Sequence, residues 1–188
     1  MDLFVVYTII KYIHILGAIA WIGGGVTLCA LGLFAVARND ESEMLRALQS
    51  VGVLANRWFV PASLITLVCG IAMAFIANLW GEGWVVLGLI GFAATFVTGH
   101  FGLRPLAMKI SARAEAGDMA GAAAEGKRML QIAKFDYTML GMVVADMVLK
   151  PQWTDFIQLG VIAGVLVVGA ALFLAPLAAR TPAAAASA

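Results

Sequence analysis

The chain has 188 residues and a formal net charge of +1 at pH 7. It is 63% hydrophobic and 12% charged, with a mean hydropathy of +0.97, whereas a soluble domain is roughly half apolar and a quarter charged. This composition excludes an ordinary water-soluble domain, and the near-neutral charge excludes a nucleic-acid partner recruited by a basic field.

Cys29 and Cys69 both sit in apolar runs, without metal-site spacing, and read as small packing residues. The N-terminus starts Met1-Asp2 and has no basic segment before its apolar run. That run outlasts the roughly 7–15 residues of a signal-peptide core, so it is expected to be a retained span.

Span one is expected at 3–37, longer than the roughly 20 residues that cross a bilayer, and so tilted or projecting. The polar cluster Arg38-Asn39-Asp40-Glu41-Ser42-Glu43 ends it, and Asp40 or Ser42 can cap a short amphipathic helix running through Arg46 to about Asn56. Span two is expected at 58–78, with Pro61 in its first turn. Trp80-Gly81-Glu82-Gly83-Trp84 is a tight interfacial turn. Span three follows at 85–103, where Gly88, Gly91, Thr95, Thr98 and Gly102 form a stripe of small residues suited to close helix packing. Residues 104–134 form an amphipathic region on the cytoplasmic side. It holds Arg104, Lys109, Arg113, Lys127, Arg128 and Lys134, and reads as one or two surface helices. Span four, 135–150, is short, carries Asp136 and Asp146, and is stopped by Pro151. Span five covers 154–178, and 180–188 reads as a low-complexity disordered tail.

The expected fold is all-α: one polytopic transmembrane bundle domain over 1–179. It has about five spans, or four if the short span four is lost. With five spans, Arg38, Arg46, Arg57, the basic residues of 104–134 and Arg180 share one side. The positive-inside rule then places the N-terminus outside and the C-terminus in the cytoplasm of a bacterial inner membrane. Trp80, Trp84 and Trp153 fall at the outer interface.

Ionisable residues inside spans are candidates for function because lipid penalises them. In span one, Lys11, His14, Ala18, Trp21 and Gly25 follow at steps of three and four and share one helical stripe. At 1.5 Å per residue, His14 lies roughly 10–17 Å below the outer edge, and Asp146, Met142 and Met139 lie roughly 6–17 Å below it. Met139, Met142, Asp146 and Lys150 share a face of span four. A site built from spans one and four is therefore allowed, with His14 and Met142 or Met139 as an axial haem pair. His100 lies roughly 6–13 Å deeper than His14 and suits such a pair less well. Each candidate also has a structural reading. The histidines can hydrogen-bond between helices, the methionines can fill the core, and Lys11 and Lys150 can snorkel to the headgroups. Gly160 and Gly164 have the spacing of a homodimer face. Phosphate-loop, His-Glu-x-x-His, Cys-x-x-Cys and nucleophile–histidine patterns do not occur.

Lys11-x-x-His14 followed by Trp21-x-Gly23, with a later segment ending in Lys150-Pro151, resembles a bacterial membrane superfamily. That superfamily includes the HemJ-type protoporphyrinogen oxidases, the copper resistance protein D domain and an uncharacterised family of predicted integral membrane proteins. The chain resembles the last most closely. The resemblance implies a small helical bundle. From the HemJ-type enzymes it implies haem b, with His14 and Lys11 needed for activity. The HemJ-type Asn-Glu-x-Pro of the fourth helix has no counterpart; Asp136-Tyr137-Thr138-Met139 stands there instead.

The leading expectation is a haem-b membrane oxidoreductase, with a quinone or porphyrin as partner. His14 is the metal ligand, Met142 or Met139 the second ligand, and Lys11 and Lys150 face anionic groups. Lys11 and Asp146 are the catalytic candidates, and Trp21 lines the cofactor site. The alternatives are a transporter of copper, another metal ion or protons, and a non-catalytic membrane partner protein.

Overall fold

The computed structural model describes residues 2–178, so the tail expected at 180–188 lies outside it. The described residues form helices joined by short turns, without a strand.

Helix α1 (Leu3–Ala37) starts at Asp2, whose side chain accepts from the Phe4 amide at 3.2 Å. Asp40 then caps α2 (Glu41–Leu54) by accepting from the Glu43 amide at 2.9 Å. Helix α2 does not stop before the membrane. A π-helical turn, π1 (Ala55–Phe59), leads straight into α3 (Val60–Ile76), where Pro61 takes an early position that needs no N–H partner. After the turn at 77–82, α4 (Gly83–Val97) continues through a second π turn, π2 (Thr98–Leu103), into α5 (Arg104–Glu115). Gly117, at φ +81°, makes the reversal there, and Asp118 caps α6 (Met119–Leu149) by accepting from the Gly121 amide at 2.8 Å. Helix α7 (Phe156–Phe173) and the short α8 (Ala175–Ala178) complete the order.

Among the described residues, four continuous helices are long and apolar enough to cross a membrane: Leu3–Ala37, Glu41–Ile76, Gly83–Glu115 and Phe156–Leu177. This count matches the four-span alternative. The expected span four is not a separate helix. It is the second half of α6, and Lys134, Asp136 and Asp146 within it keep its hydropathy below that of the others.

Helix α6 runs antiparallel to α1 through the middle of the bundle. A Cβ at Gly32 would press on Leu130, and one at Gly25 would overlap the Tyr137 hydroxyl. Glycine at both positions lets the two backbones approach. The small stripe of α4 faces α6, with Gly91 against Val143 and Gly88 against Met147. Helix α7 lies outside, touching α6 through Gly169 against Thr138 and Phe135. Its other side is open, with Phe156 and Ile157 among the most exposed apolar residues. Among the described residues, a Cβ at Gly160 or Gly164 would meet nothing within 4 Å beyond its own helix backbone.

The two ends differ. At one end, Gln152 after α6 donates from Nε2 to Glu82 at 2.6 Å and accepts from the Gly83 amide at 3.3 Å, tying the α3–α4 turn to the α6–α7 turn. At the other end, α2, α5 and the first half of α6 enclose a core of Met44, Leu45, Leu48, Ala107, Ile110, Ala122, Ala123 and Met129. Ion pairs Lys109–Glu125, Arg113–Asp118 (2.6 Å) and Lys127–Glu41 (2.8 Å) ring that core.

Candidate functional site

The stripe expected on α1 forms one wall of a cavity. Lys11, His14 and Trp21 line it together with Lys150, and its volume is about 710 Å³. The other walls are α3 (Thr66, Gly70, Met73), α4 (Trp84, Gly88, Phe92) and α6 (Leu140, Val143, Met147).

The crossing of α1 over α3 sets the histidine. At Gly17 a Cβ would sit 2.7 Å from the Thr66 hydroxyl, so the helices meet there with almost no space. One turn away, the His14 ring lies against Gly70, where a Cβ would meet Cε1 at 3.2 Å and Nδ1 at 3.3 Å. His14 Nδ1 donates to the Thr66 carbonyl at 2.7 Å. A carbonyl can only accept, so Nδ1 carries a proton, and in the neutral ring the lone pair is then on Nε2. No protein group among the described residues takes that lone pair. A carbonyl that holds one ring nitrogen and leaves the other free is how proteins orient ligating histidines.

Trp21 closes the cavity floor. Its ring meets Phe92 at 5.3 Å and 60°. Trp58 braces the same stretch of α1 by donating from Nε1 to the Ala20 carbonyl at 3.0 Å. At the opposite end, Lys150 has left-handed backbone (φ 52°) as the last turn of α6 closes, and its ammonium lies 5.2 Å from the centre of the Trp84 ring. Such a contact stabilises a cation while leaving its N–H donors available. Lys11 is exposed and has no ion pair among the described residues.

Met139, Met142 and Asp146 are not in this wall. The face of α6 that lines the cavity carries Leu140, Val143, Val144, Met147, Val148 and Lys150. Depth counting fixes height along a helix but not the direction a residue faces, and each residue turns the direction by about 100°. Met147 and Met73 are the methionines that share the cavity with His14. Asp146 points at α4 instead. One oxygen would lie 3.5 Å from a Cβ at Gly88, the residue is 3% exposed, and neither carboxylate oxygen has a hydrogen-bond partner among the described residues. Nor does Lys150 pair with it, being drawn to Trp84.

A second cavity of about 100 Å³ lies below the first, with Trp21 and Leu140 forming part of both walls. Asn56, Ser63, Thr95, His100, Arg104, Asp136 and Tyr137 line it. His100 thus belongs to a different chamber from His14, stacked 6.0 Å from Phe96. Among the described residues, no three His, Cys, Asp or Glu side chains gather as a metal cluster. The roles of Thr66, Gly70, Met73 and Met147 had no signal in the sequence, because each depends on which helices cross.

No curated protein and no solved structure matches the chain. Residues 8–151, which contain the lining of both cavities except Tyr7, match the family described as predicted integral membrane protein (DUF2269). The chain is therefore an integral membrane protein of that family.

Proposed function

We propose that the larger cavity holds haem b and that the protein is a membrane oxidoreductase, quinone-linked or protoporphyrinogen-oxidase-like. The observation that carries this reading is the fixed tautomer of His14, which leaves Nε2 unpartnered in the wall of a mostly apolar cavity. A volume of about 710 Å³ lies within the range of roughly 300–1,000 Å³ common to cofactor pockets. Two ammonium groups, Lys11 and Lys150, share that wall with apolar and aromatic side chains. This donor set suits a flat, apolar ligand that carries an iron and acidic side groups. The similarity of Lys11-x-x-His14 and Trp21-x-Gly23 to the HemJ-type first helix supports the same reading.

In this reading His14 would hold the iron through Nε2, with the Thr66 carbonyl holding its ring and raising its basicity. Lys11 and Lys150 would bind the acidic groups. Trp21 and Phe92 pack the floor and exclude water. The haem would supply one-electron redox chemistry. The clustering of Arg46, Lys109, Arg113, Lys127 and Arg128 around α2, α5 and α6 supports a bacterial inner membrane with that end in the cytoplasm.

The test is the absorption spectrum of the detergent-purified protein from haem-replete cells. A Soret band is expected in wild type and lost or shifted in His14→Ala. A colourless wild-type protein would sink the proposal.

One observation favours a second reading. The thioethers of Met73 and Met147 share the cavity with His14, and copper(I) prefers such soft donors. Copper transport predicts lower cellular copper accumulation in His14→Ala than in wild type; equal accumulation counts against it.

A further inference from the structure

The smaller chamber has features that packing alone does not explain. Both π turns among the described residues open onto it: Asn56 and Phe59 from π1, Gly99 and His100 from π2. A π turn costs hydrogen-bond geometry and is found disproportionately at functional sites. Two of them, on separate helices, meet at one cavity.

Asp136 reaches the same cavity from α6. It is 5% exposed, and Oδ1 is buried without a hydrogen-bond partner among the described residues. Leaving an ionised carboxylate in that state is costly, so the group requires a proton, ordered water or a cation. The nearby hydroxyls are set to accept. Ser63 donates to the Val60 carbonyl at 3.0 Å and Thr95 to the Phe92 carbonyl at 3.0 Å, which leaves their oxygen lone pairs for an incoming donor. About 100 Å³ leaves room for about three waters, at roughly 30 Å³ each.

We propose that this chamber is a proton-loading site, with the Asp136 carboxyl as the group that takes the proton. The charged and titratable side chains that share it are Arg104 and His100 from the α4–α5 helix and Tyr137 from α6; α1 and α3 contribute none to its wall. The Tyr137 hydroxyl is turned toward Gly25 on α1. A proton fits this lining better than a metal ion does. A hard cation needs about six oxygen ligands, and the wall offers one carboxylate, a few hydroxyls and one amide among apolar groups. The guanidinium of Arg104 also opposes a fixed second cation. Arg104 opens α5, at the junction with the ion-paired end of the molecule, so the chamber lies next to that end. The proposal is independent of what fills the larger cavity, and its test needs no haem.

The full-length protein in detergent is treated with dicyclohexylcarbodiimide, an apolar reagent that modifies protonated carboxyl groups. Adducts are then mapped by peptide mass spectrometry across a pH series. An adduct on Asp136 is expected, falling about tenfold per pH unit on the alkaline side, with no protection by sodium or potassium. A deuterium-sensitive carboxylic-acid band in the infrared spectrum is expected in wild type and diminished in Asp136→Asn. Two results would overturn the proposal. One is a wild-type Asp136 that takes no label at any pH while other carboxyl groups do. The other is labelling abolished by an alkali cation at constant pH, which would make the chamber a cation site.

Discussion

The ion-paired end of the molecule and its membrane half are built on opposite rules. At the ion-paired end, α2 turns Met44, Leu45 and Leu48 inward and its charges outward, and Ile110 and Met129 are fully buried. In the membrane half the large apolar side chains point outward, as with Phe4, Phe75 and Ile157, and the interior holds Gly17, Gly25, Ser63, Thr66, Asp136 and Asp146. Water drives the first arrangement by penalising apolar surface. Lipid removes that drive, so helices there associate by close approach and polar contact. One chain thus shows which part of its surface meets which solvent, and the polar interior of the membrane half is where chemistry can occur.

The largest expected effect separates the two ends directly. Ile110→Ala should cost about 2–5 kcal/mol, since it opens a cavity in a water-facing core. Ile157→Ala, at an 84% exposed site on α7, should stay within about 0.5 kcal/mol. Denaturant unfolding in detergent checks both, and equal losses would break the distinction.

Glycine contacts come next. Gly25→Ala puts a methyl group onto Tyr137 and should cost about 1–3 kcal/mol by overpacking α1 on α6. Gly160→Ala meets nothing within 4 Å and should be neutral or slightly stabilising. Thermal midpoints in the same detergent would sharpen the contrast between the inner and outer faces of the bundle.

Smaller still is the ion pair between Lys127 and Glu41, whose side chains are 55% and 54% exposed. Lys127→Ala should change stability by less than about 0.5 kcal/mol, and salt should erase the difference. Acid should act on the same end. The Glu43 amide, the Ser42 hydroxyl and nearby charge hold the Asp40 carboxyl below its ordinary range, and the Gly121 amide and Arg113 do so for Asp118. A lowered value means that this contribution is present at neutral pH and lost as pH falls through the carboxylate range. Hydrogen exchange should show the starts of α2 and α6 loosening in acid before the membrane half does.

Much of this architecture was legible in the sequence. Long apolar runs gave α1, α3, α4 and α7, and the three-and-four spacing of Lys11, His14 and Trp21 gave the face that lines the cavity. The run of charges between Arg104 and Lys134 hid the continuity of α6, because a helix leaving the membrane changes solvent without changing backbone. Asp136 and Asp146 drew attention as charges in a span, but their directions could not be read. Met139 and Met142 were favoured by height, yet the cavity takes Met147. That choice depends on the rotation of α6 against α4, which Gly88 and Gly91 set through contacts with distant residues. The Thr66 carbonyl was invisible for a related reason, since backbone groups carry no sequence signature.

The two π turns also couple the halves in a way that substitution cannot easily undo. Each holds one residue more per turn than the α-helix around it. Deleting a single residue from π1 or π2 would let an unbroken α-helix re-form with its flanks nearly in phase, whereas straightening either turn to α-helix at its present length would rotate everything on one side by about 100° relative to the other. In α4–π2–α5 that rotation would swing Arg104 and Ile110 away from the positions that Gly88 and Phe92 now imply. The inward faces of the membrane half and of the ion-paired end are thus held in phase by the π winding of these two segments, which absorbs one extra residue in each.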